Sequence, residues 1–129
     1  MVLHSRRLVG EGNNERGAAV KVYDVAGKVA GSGEYILGAE ATGSHACYLI
    51  YGLLRPGETG RQLRPGAGHE EMVLCIAGGI RLSGCTSGDL RAGQAVHLRG
   101  EEMCNVTNSC DVDAIYVIAG GHSCGEHDH

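Results

Sequence analysis

Four residues near the C-terminus, His122, Cys124, His127 and His129, place three imidazoles and one thiol close together, with Glu126 and Asp128 interleaved. Imidazole nitrogen and thiolate sulfur are donors that transition metals prefer, so this tract can wrap such an ion without any fold. The competing reading is a terminus that meets metals only incidentally. A second concentration of chemistry is His69-Glu70-Glu71. It is a ligand cluster or an acid/base pair if it lines a pocket, and an ordinary solvated strand start if it does not. His45 and Cys47 lie two residues apart and share a face of any strand, so both can reach a metal if that face is internal. Glu101 and Glu102 point opposite ways on an extended chain, which argues against a paired general acid and base. His97 reads as a hydrogen-bonded strand histidine or as a pocket-lining one. The six cysteines, Cys47, Cys75, Cys85, Cys104, Cys110 and Cys124, contain no C-x-x-C pair, so neither a zinc ribbon nor a thioredoxin-type motif is present. No phosphate-cradling glycine loop and no nucleophile elbow appears either.

These residues need elements to hold them. At 129 residues there is room for one domain with one core. Apolar residues make up 43% and charged residues 20%, which is ordinary globular usage. No apolar run approaches the roughly 18 residues of a membrane span. A formal net charge of −4, with 11 scattered basic residues, argues against a nucleic-acid partner. The first ten residues lack the apolar stretch of a secretory signal, so the expected compartment is the cytoplasm and the expected thiol state is reduced. Gly is abundant at 22 residues, against Pro 2, and no window sustains helical periodicity. The expectation is an all-β chain with strands over Ala18–Val25, Glu34–Leu37, His45–Leu54, Glu71–Leu82, Gln94–Leu98, Met103–Thr107 and Asp113–Ala119. The stretch from Ser83 to Asp89 reads as a hairpin connection. Residues 1–17 read as an irregular arm that packs on another subunit, residues 18–120 as the barrel, and residues 121–129 as the His/Cys-rich tail.

Between Pro56 and Asn108 the chain resembles a cupin, the small jelly-roll barrel whose mouth usually holds a metal. The family's first motif is Gly, five residues, His-x-His, three or four residues, Glu, six residues, Gly. Pro56-Gly57 opens it here, and Glu71 followed after six residues by Gly78 closes it. Leu63 and Pro65 stand where the histidines belong, and the nearby imidazole is His69. The second motif starts at Gly93, with Arg99 for its Pro, Glu101 for its Gly, Cys104 for its His and Asn108 for its Asn. The resemblance implies a double-stranded β-helix with Glu71, Cys75, His97 and Asn108 around a ligand pocket. It also implies a metal at the mouth on His69, Glu71 and Cys104, a mixed donor set suited to Zn, Fe, Ni or Cu. The alternative is that Cys75 and Cys104 simply fill an apolar barrel.

Strand alternation puts Glu71, Val73 and Cys75 on one face, and Cys104, Val106 and Asn108 on one face of another strand. Strand His45–Leu54 is apolar on both sides, which implies that both are covered and that the chain pairs as a homodimer. Two functions follow. One is a small cupin binding a transition metal or a small molecule in its mouth, with the reaction unassigned. The other is a non-catalytic dimeric module that senses a ligand or handles metal through its tail.

Overall fold

The computed structural model describes residues 20–29 and 31–123, and everything below concerns those residues. The chain runs through β1 (Glu34–Leu37), a single helical turn α1 (Ala39–Thr42), β2 (Cys47–Leu54), β3 (Arg61–Leu63), β4 (His69–Ala77) and β5 (Gly79–Gly84). It continues through β6 (Gly88–Arg91), β7 (Ala95–Arg99), β8 (Cys104–Thr107) and β9 (Ala114–His122). All pairings are antiparallel. They form a five-stranded sheet ordered β1-β2-β9-β4-β7 and a four-stranded sheet ordered β3-β8-β5-β6. Two sheets with their inner faces packed together are a jelly-roll, the all-β architecture that the strand pattern implies.

The core lies between the sheets. Leu54, Val73, Cys75, Leu98, Cys104, Val106, Tyr116 and Ile118 are almost fully withdrawn from water. In β4 the alternation is regular: Glu71, Val73 and Cys75 are buried, while Met72, Leu74 and Ile76 face outward. In β8, Cys104, Val106 and Asn108 just beyond it share the inner face.

Three departures from the expected strands have physical causes. Residues 20–25 are not a strand; Val20 and Val22 stand exposed and no neighbouring strand takes up their backbone groups. The expected strand Glu71–Leu82 is two strands, because the chain turns at Gly78 with φ +73° and passes from one sheet to the other. A Cβ there would sit 2.6 Å from the Asp113 carbonyl oxygen, so the corner admits only glycine. β3 and β6 are additional strands, too short and polar to show a period of two. The connection after Ser83 does make a hairpin, with Leu82 opposite Gly88. The last strand, β9, continues to His122. The arm 1–17 and the tail residues Cys124, His127 and His129 lie outside the described residues.

Asn108 holds the barrel together from inside. Its side chain is completely buried, donating from Nδ2 to the carbonyls of Leu54 at 3.0 Å and Val112 at 2.8 Å. Its Oδ1 accepts from the Cys110 amide at 2.9 Å. With its capacity spent on backbone, Asn108 ties the end of β2 to the β8–β9 connection and is not offered to a pocket.

Candidate functional site

Three strands set one row of residues side by side. Tyr48 of β2 is opposite Gly120 of β9, and Gly120 is opposite Glu71 of β4. Since Gly120 has no side chain, the Tyr48 ring lies across it, and the phenol donates a 2.6 Å hydrogen bond to Glu71 Oε2. Glu71 is one of the two buried polar side chains, so this charge-assisted bond offsets part of its desolvation. Burial, then the hydrogen bond to Glu71 and the charge of Glu71, push the Tyr48 phenol well above its ordinary range, so it remains a donor.

One step toward the open end, His69 of β4 is paired with His122 of β9. Their rings meet edge to face with centroids 4.9 Å apart, and the Tyr48 ring is 6.0 Å from that of His69. Backbone hydrogen bonds fix this end: Gly66 N–H to Gly100 O at 2.8 Å, Gly100 N–H to His69 O at 3.0 Å and Ser123 N–H to Gly68 O at 2.8 Å. Around these groups opens a cavity of about 450 Å³, lined also by Ile36, Ile50, Cys47, His45, Arg64 and Pro65. Its lining is largely apolar, with the polar groups gathered on β4 and β9, the usual composition of a small-molecule site. Arg64 on its rim lies 3.6 Å from Glu101.

The expected site residues divide. His69, Glu71 and His122 come together in this cavity, and His45 with Cys47 borders it. Cys104, expected as a mouth ligand, is absent from its lining; the thiol is fully buried with Cys85 Sγ 3.4 Å away. Cys75, expected in the pocket, is a core residue whose thiol donates to the Ala77 carbonyl at 3.5 Å. Burial pushes both thiols up. His97 is exposed on the outer face of β7, 3.0 Å from Glu70 Oε1. That hydrogen bond, together with one from Ser123 at 3.0 Å, holds the Glu70 carboxyl below its ordinary range. Glu70 and Glu71, adjacent in sequence, therefore serve opposite faces.

The expected donor set His69, Glu71 and Cys104 is not brought together: Cys104 lies in the core beside Cys85, and among the described residues no group of three His, Cys, Asp or Glu side chains is disposed to hold an ion. Sequence reasoning missed Tyr48 and Gly120. The usable signal was a tyrosine and a glycine on strands that become neighbours, and it occurs twice: Tyr116 likewise lies over Gly52, its cross-strand partner. Tyr116 is fully buried, donates to the Glu34 carboxylate and accepts from Arg61 Nη1 at 3.0 Å.

No family model matches the chain, and no curated protein matches its sequence. Solved structures do. A protein with a double-stranded β-helix domain from Klebsiella pneumoniae aligns with TM-score 0.62 and 13% identity, covering 81% of this chain and 91% of its own. A predicted oxalate decarboxylase from Thermotoga maritima gives 0.58 at 16% identity, over 70% and 81%. An RmlC-like cupin from Shewanella frigidimarina gives 0.52 at 11% identity, over 64% and 72%. No helix among the described residues is long and apolar enough to cross a membrane. With two antiparallel sheets closed around one core and these neighbours, the chain is a small barrel of the cupin fold.

Proposed function

We propose that the mouth of this barrel binds a small molecule through Glu71. The observation that carries this reading is the 2.6 Å bond from Tyr48 to Glu71 Oε2 at a cavity of about 450 Å³. Tyr48 orients the carboxylate through one oxygen, and Oε1 is the atom that accepts from a ligand hydroxyl or ammonium group. Ile36, Ile50 and Pro65 take the ligand's apolar body, and His69 and His122 supply further hydrogen bonds at the rim. The ligand class is thus a compact molecule with a donor at one end and an apolar remainder.

Saturation-transfer NMR against a library of hydroxylated and amino-substituted fragments tests this. Binders whose affinity falls roughly tenfold or more in Glu71→Gln and Tyr48→Phe support the site, one charged hydrogen bond being worth about 1.5–3 kcal/mol. Binders indifferent to both substitutions overturn it.

A second reading, metal handling through the tail, is favoured by one observation. β9 delivers the chain to the mouth, with His122 against His69 and Ser123 tied to Gly68 and Glu70. A Zn, Fe, Ni or Cu ion at this end draws its remaining donors from Cys124, His127 and His129. Metal content measured on the full chain and on a variant with those three replaced distinguishes the readings: retention of metal removes the tail from the account. The outer row Met72, Leu74 and Ile76 on the five-stranded sheet supports a homodimer as the state in which either operates.

A further inference from the structure

Away from the mouth, two sulfurs meet. Cys104 opens β8 and is fully buried, whereas Cys85 follows β5 in the connection to β6 and is exposed. β5 and β8 are antiparallel neighbours with Gly84 opposite Cys104, and the Cys85 amide donates to the Met103 carbonyl at 2.9 Å. The close approach depends on Gly84: its φ is +114°, and a Cβ there would stand 2.6 Å from the Met103 carbonyl oxygen. The Cys85 thiol turns in beneath it, and the two Sγ atoms lie 3.4 Å apart. The other described buried thiol, Cys75, spends its hydrogen on backbone carbonyls instead. A disulfide requires about 2.05 Å between sulfurs, so a small rotation of the exposed Cys85 side chain closes the remaining gap.

We propose that Cys85 and Cys104 form an oxidisable dithiol, a modification site at which a peroxide closes a reversible disulfide between β8 and the β5–β6 connection. Access decides the order. The exposed Cys85, as thiolate, attacks one oxygen of hydrogen peroxide; the O–O bond breaks, leaving a sulfenic acid and a hydroxide ion, which takes up a proton and becomes water. Cys104 then attacks the Cys85 sulfur, its own proton leaving with the displaced hydroxyl as a second water. Two electrons pass from the sulfur pair to the peroxide, and two thiol hydrogens end in water. The bond closes a loop that contains β6 and β7 and cross-links β8 to the end of its neighbour β5 within the four-stranded sheet.

The test uses the full chain, reduced and then exposed to hydrogen peroxide, with remaining thiols alkylated in denaturant and peptides mapped by fragmentation mass spectrometry. The expected product is a bridge from Cys85 to Cys104, reversed by dithiothreitol, with a Tm rise on the order of 5–10 °C. Cys85→Ser, an exposed substitution that leaves the core intact, abolishes both bridge and Tm rise. In Cys104→Ser, where folded, Cys85 is trapped as a sulfenic acid by dimedone. Absence of a bridge, a bridge from Cys85 to another cysteine, or recovery of Cys104 fully alkylated beside an overoxidised Cys85 overturns the proposal.

Discussion

Adding one methyl group at Gly120 separates the mouth from the core. A Cβ there would lie 2.6 Å from the Tyr48 phenol oxygen and nearer still to its ring, so the ring must leave. The Gly120 backbone lies outside the left-handed region, and alanine therefore recovers about 0.4–1 kcal/mol through the unfolded chain. Tyr48 is half-buried at the border of the cavity and can swing into it, giving up its bond to Glu71 at about 1.5–3 kcal/mol. The net destabilisation of Gly120→Ala is then about 1–2 kcal/mol. Gly52→Ala makes the same clash with Tyr116, but that ring has no exposure and its hydroxyl is bound by Glu34 and Arg61. With nowhere to go, it costs about 3 kcal/mol or more. Urea unfolding followed by far-UV circular dichroism ranks the two variants. An alkaline absorbance titration adds a direct readout, because burial, then Glu71, holds Tyr48 above the ordinary phenol value, while burial, then Glu34, does so for Tyr116. In Gly120→Ala one of these two tyrosines returns toward roughly pH 10. An unchanged titration, or equal destabilisation by the two substitutions, would refute the arrangement.

Other outcomes follow from the same geometry. Both phenols are held protonated more firmly in the fold than in the unfolded chain, so their contribution is complete below about pH 10 and is lost as pH rises beyond it; Tm measured against pH declines there, less steeply in Tyr48→Phe. Asn108→Ala leaves the buried Leu54 carbonyl and the partly buried Val112 carbonyl without their donor and costs about 3 kcal/mol in urea unfolding, with the mouth tyrosine titration unchanged. Glu70 is held down first by His97 and then by Ser123, so it stabilises the fold above its unfolded value and loses that contribution as pH falls through its lower folded one; carbon NMR titration of His97→Ala shows it rising. For the proposed homodimer, Leu74→Glu at the centre of the outer apolar row is expected to lower the light-scattering mass to that of one chain, and a wild-type monomer at micromolar concentration removes the proposal.

Much of the barrel was legible because alternation is local. Glu71 and Cys75 had to share a face, as did Cys104 and Asn108, and the structure turns both rows inward. The cupin spacing rests on Gly57, Gly78 and Gly93, each of which the structure places at positive φ. The site was less legible. A row of residues along one strand face says nothing of how far each sits from the open end, so Cys75, Cys104 and Asn108 proved to be core residues while His69 and Glu71 reached the cavity. Tyr48 could not be picked out from a strand that is apolar on both faces, and residues 20–25 carry strand-forming side chains that, among the described residues, no strand pairs with.

The sequence by itself determined the β class and the parity of each strand, because backbone pleating follows from covalent geometry one residue at a time. Only the tertiary structure decided which strands became neighbours and in what register. The Tyr48–Gly120–Glu71 row, the His69–His122 pair and the Cys85–Cys104 contact each join distant strands. Those pairings are chosen by closure of the whole core around Tyr116, Val73 and Leu98, a cooperative sum that no local window contains.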